Sequence, residues 1–141
     1  MTRPLVRGLA IAACLTLTIT VVARVCCADE PPPVKEIMQK AHKEKTGVLM
    51  ILQDQLIEKT PDWPAIQKNT KELVKLAETL EKTKPPRGSA KGWNQRTAEY
   101  REGTNNLAKY VDAKNQDKAQ GEIGFLASRC MGCHREHKPE K

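Results

Sequence analysis

The chain has 141 residues, 24 Lys and Arg against 17 Asp and Glu, a net charge of +7 and a mean hydropathy of -0.58. That length bounds it to about one domain, and its lysines alternate with glutamates instead of clustering, which excludes the basic stripe of a nucleic-acid-binding surface. Trp63, Trp93, Tyr100, Tyr110 and Phe125 are the only large aromatic rings, so a core built here gains from any bulky apolar group added to it.

Arg3 and Arg7 precede an apolar stretch at 9–22 that ends in small residues, the pattern of a secretory signal peptide. Cleavage is expected after Ala28, leaving a domain of 113 residues at 29–141 that has lost Arg3, Arg7 and Arg24 and carries a net charge of +4. A lipid anchor on Cys26 or Cys27 is the rival reading, but Arg24 and Val25 fill the required small-residue box poorly. A retained anchor is opposed by an apolar run short of the ~20 residues that span a bilayer. The expectation is a protein that is periplasmic or otherwise exported, without stable membrane insertion once the signal is removed. Cys14, Cys26 and Cys27 leave with the signal, and the surviving pair, Cys130 and Cys133, does not suggest a disulfide framework.

Four amphipathic segments follow, and none reads as a strand. The first is expected over about residues 34–59, behind the stiff Pro31, Pro32 and Pro33. Val34, Ile37, Met38, Ala41, Val48, Leu49, Leu52 and Leu56 recur in it at helical intervals, with Gly47 a blemish costing about 1 kcal/mol that marks either a close helix contact or a local bend. The second starts at Asp62 as N-cap with Pro64 in the first turn and buries Ile66, Leu73, Leu76, Ala77 and Leu80. Prolines 85 and 86 and Gly88 end it in a linker. The third, about 90–112, carries Trp93, Thr97, Tyr100, Thr104, Leu107 and Val111. The fourth starts near Asn115 and places Ala119, Ile123, Leu126, Cys130 and Cys133 on one stripe. Four helices of this length with short connections predict an all-α, antiparallel four-helix bundle.

Cys130, Met131, Gly132, Cys133 and His134 spell C-x-x-C-H, the attachment signal for a c-type haem: two thiols add to the vinyl groups and the histidine ligates iron. On a helix, residues three and four apart share a face, so the three side chains can meet one edge and one side of a porphyrin. A thioredoxin-like redox pair would need a βαβ setting that this helical pattern lacks. Zinc held by Cys130, Cys133, His134 and His137 would crowd four ligands onto one short segment. His137 reads as a solvent-facing tail residue. Arg96, Arg101 and Arg129 are candidates for pairing with a propionate, and Trp93 and Tyr100 for packing on the macrocycle or in the ordinary core.

A signal peptide, four helices and a C-terminal C-x-x-C-H together resemble the class II cytochromes c, cytochrome c′ and its low-spin relatives, over essentially all of 29–141. The resemblance implies one covalent haem c between the helices, attached through Cys130 and Cys133, with His134 as proximal iron ligand and the first helix facing the opposite side of the iron. The chain departs from the family where Arg135, Glu136, His137 and Lys138 replace the usual aromatic residue and arginine after the motif. By similarity to low-spin members, His42 falls near the position of the distal ligand. Met38, one helical turn before it, is the alternative, a five-coordinate iron is another, and Met50 is the weakest.

Six-coordinate iron leaves no substrate site, so the expected function is electron transfer with an acidic redox-partner protein. Five-coordinate iron would instead bind NO or CO, as the cytochrome c′ branch does. No nucleophile and base converge in the sequence, and an enzyme is not expected. The resemblance also raises the expectation of a homodimer through the first two helices.

Overall fold

The structure is a computed structural model and describes residues 32–139; the expected export signal at 1–28 lies outside them. The described residues form five α-helices and no strand: α1 Val34–His42, α2 Val48–Leu56, α3 Trp63–Glu81, α4 Ala90–Asp112 and α5 Gln116–His137. None of them is long and apolar enough to cross a membrane.

Local chemistry sets the starts of the three long helices. The Asp62 carboxylate accepts from Ala65 N at 3.2 Å, Ser89 Oγ from Gly92 N at 3.0 Å and Asn115 Oδ1 from Lys118 N at 3.1 Å. Each satisfies an amide that the first turn leaves without a partner. Pro64 sits in the first turn of α3, where its missing N–H costs nothing.

The expected single first helix is broken, and the bundle has five helices where four were expected. Lys43 leaves helical geometry, Lys45 takes a left-handed φ of 64°, and Gly47 closes the turn by donating to Lys43 O at 2.6 Å before starting α2. A side chain at Gly47 would place its Cβ 2.5 Å from Lys43 N and 2.7 Å from His42 C. Only glycine permits this approach. The bend, one of the two readings of Gly47, ends α1 on His42.

The apolar stripes then pack as two clusters. The larger joins α2, α3, α4 and α5 through Leu49, Leu52, Leu56, Ile66, Leu73, Leu107, Val111, Ile123 and Leu126, with Ala41 at the end of α1. The smaller consists of Ile37, Leu80 and Trp93, against which Met38, Leu76, Tyr100 and Cys133 pack. At the foot of α2, Gln116 Nε2 donates to Leu56 O at 2.7 Å and to Glu58 O at 2.9 Å, so α5 satisfies carbonyls that α2 leaves open. α1 packs on α2 and α3, not directly on α5. The C-x-x-C-H run occupies the last two turns of α5.

Candidate functional site

The motif residues are divided by the helix surface. Cys130 and Cys133 are half-buried and unpaired as thiols, Cys133 lies against the Ile37, Leu80 and Trp93 cluster, and His134 is exposed. Burial pushes both thiols above their ordinary range, with the nearby Arg96 guanidinium only partly offsetting this at Cys133. The run also sits at the negative end of the helix dipole. A reactive redox cysteine is usually found at the opposite, helix N-terminal end with its thiolate favoured, so the thioredoxin-like reading has no support in this geometry.

The zinc reading fares no better. No group of three or more His, Cys, Asp or Glu side chains converges among the described residues. His137 in particular is taken up by other contacts. Contrary to the expectation of a solvent-facing tail residue, it is 1% exposed, with its ring edge-on to Trp93 at a centroid distance of 5.3 Å. Its Nδ1–H donates to Arg87 O at 2.8 Å, while Arg87 Nη2 donates to Arg135 O at 2.8 Å. Gly88, at φ 81°, lies so close beneath Glu136 and His137 that a Cβ there would be 2.9 Å from His137 Nδ1. Trp93 Nε1 donates to Thr83 O at 2.9 Å in the same linker. The α3–α4 linker thus clasps the last turn of the motif helix. Sequence alone marked Gly88 as a breaker but carried no sign that a histidine 49 positions later would cover it.

The other two candidates on the first segment, His42 and Met38, lie on α1. Met38 is partly buried at the edge of the smaller cluster, whereas Met50 lies beyond the break on α2. His42 is the more informative. Burial, and secondarily the charge of His134, lowers its pKa from 6.5 to about 4, so the imidazole is neutral at ordinary pH. α1 and α5 do not pack directly, and the link from His42 towards the motif helix runs through Tyr100 on α4, which neighbours α5.

Tyr100 on α4 completes the arrangement. Its hydroxyl lies 2.9 Å from His42 Nε2, with the rings tilted by 55° at 5.5 Å, and it packs against both core clusters. Burial, then the Cys130 sulfur, raises its pKa far above the usual range, so it remains a neutral O–H. Helical spacing showed that Tyr100 was core-facing. It gave no reason to pair it with a residue 58 positions earlier.

Arg96, Arg101 and Arg129 are engaged with protein carboxylates: Arg129 with Glu99, Arg96 with Glu99 at 3.6 Å and Glu136 at 3.9 Å, and Arg101 with Glu81 at 2.8 Å. These are partly exposed pairs of small individual worth, available for exchange with another anion.

The donor set suits a covalently held haem. Two neutral thiols one turn apart are available to add to vinyl groups, an exposed imidazole follows on the same helix, α1 ends on a second, half-buried imidazole, and Met38, Leu76 and Tyr100 supply an apolar flank. Comparison of the chain with protein-family models, curated proteins and solved structures finds no match.

Proposed function

We propose that this chain is an exported monohaem c-type cytochrome of the class II kind, an antiparallel helical bundle that carries electrons. The haem would be attached through Cys130 and Cys133, with iron between His134 and His42. The observation that carries this reading is the C-x-x-C-H run at the end of α5, whose Cys133 packs on the same small cluster as Ile37 and Met38 of α1, the helix that ends on His42. Neutral imidazole is the ligating form. Bound haem supplies a one-electron ferric and ferrous couple. The protein's part is to fix the axial ligands and keep one side of the site dry, and a histidine pair favours a lower potential than histidine with methionine.

Gas binding at a five-coordinate iron is the second reading, and one observation favours it: the His42 Nε2 is already hydrogen-bonded to Tyr100.

The deciding measurement is the mass of the purified protein together with its ferric and ferrous spectra. The expected result is a covalent haem adduct, a low-spin ferric signal, and conversion to high spin in His42→Ala. A mass equal to the polypeptide alone rejects the haem reading. A high-spin wild type with rapid CO uptake replaces the carrier by the gas-binding protein.

A further inference from the structure

We propose that Tyr100 is a latch on His42: its hydroxyl occupies the one lone pair that His42 can offer a metal, so ligation by His42 requires Tyr100 to let go. The inference rests on the haem reading above and adds to it a residue that controls the iron's second axial position.

The direction of the hydrogen bond carries the argument. A neutral imidazole has one protonated nitrogen and one bare nitrogen, and only the bare one accepts a hydrogen bond or binds a metal. The Tyr100 hydroxyl has a single hydrogen, and among the described residues its partner is His42 Nε2 at 2.9 Å. Were the imidazole the donor, the hydrogen of this partly buried hydroxyl would be left without an acceptor among the described residues, which native structures avoid. Tyr100 therefore donates, Nε2 accepts, and the proton of His42 sits on Nδ1. The tilt of 55° between the rings agrees, because the hydroxyl and not the face of Tyr100 engages the imidazole.

The placement of the two residues makes the latch one-sided. Tyr100 stands near the middle of α4, between neighbours α3 and α5, and touches both core clusters. His42 is the last residue of α1 and precedes the 43–47 turn. Tyr100 is the fixed member and His42 the movable one. A neutral hydrogen bond of this kind competes with ligation by roughly a 2- to 10-fold factor.

Tyr100→Phe removes the hydroxyl and keeps the ring. In protein shown by mass to carry covalent haem, we expect the variant to hold more low-spin iron than wild type and to take up CO about 2- to 10-fold more slowly, with both changes abolished when His42→Ala is added. In the ferrous CO form, where His42 is off the iron and the protein is diamagnetic, nitrogen NMR should find the His42 proton on Nδ1 in wild type and a tautomer mixture in Tyr100→Phe. Less low-spin iron in Tyr100→Phe would mean that Tyr100 supports the ligand instead of competing for it, and overturns the latch. So does an unchanged spectrum, or a wild-type His42 protonated on Nε2. The last test needs no variant and holds even if Tyr100→Phe fails to fold. Absence of haem in the mass spectrum defeats the function reading itself, a different outcome from any of these.

Discussion

His42 combines a polar ring with a largely covered setting, and this has a cost that depends on pH. Its pKa falls from 6.5 to about 4 on folding, so the unfolded chain binds a proton that the folded one refuses. Stability from this group is fully present above about pH 6.5 and is lost as pH falls from there towards about 4, below which the loss is complete. The shift corresponds to at most about 3 kcal/mol. Urea unfolding of the haem-free chain across this window should show the slope, and His42→Leu should flatten it. Gly47 governs the same residue from behind. Because its Cβ would fall 2.5 Å from Lys43 N, Gly47→Ala must displace the turn. We expect a loss of about 1–3 kcal/mol, measured by thermal melting, accompanied by loosening of the His42 and Tyr100 pair in NMR spectra.

At the scale of elements, α5 does two jobs with neighbouring stripes. Leu126, with no exposure, and His137 anchor one side, and the motif residues stand beside them. Leu126→Ala should cost about 2–5 kcal/mol without changing which residues face the site. His137→Leu keeps bulk but loses the donor to Arg87 O, and is expected to cost about 1–3 kcal/mol. His137→Asn, which keeps an N–H near the Nδ1 position, should recover part of it; equal melting temperatures for the two variants would refute the hydrogen bond's role. The bounds of α3, α4 and α5 were legible in the sequence because they are written locally, in Asp62 and Pro64, in the prolines and Gly88 of the linker, and in Asn115. The break after His42 was only half legible. A single glycine reads as a cost of about 1 kcal/mol, and nothing in the run from Lys43 to Thr46 announces that Lys45 adopts a left-handed conformation. Burial of His137 and pairing of Tyr100 with His42 were not legible at all, since each depends on a partner some fifty or more positions away.

Over the whole molecule, α3, α4 and α5 form the densest packing, and α1 is held to it through Ile37, Ala41 and the contacts with α2 and α3. Native-state hydrogen exchange is therefore expected to be fastest, among helices, in α1 and the adjoining 43–47 turn, and slowest in the centres of α3 and α4; uniform protection would argue against this division. The linker clasp on the end of α5 gives that division a mechanical meaning. α4 and α5 are joined at one end by the short turn at Ala113 and Asn115 and held at the other by the clasp on His137, so the pair behaves as a closed frame with little freedom to splay. His134 rides on that frame and His42 does not. The His134 side is therefore stiff and the His42 side soft, so that thermal motion or a competing contact will act on the His42 side first.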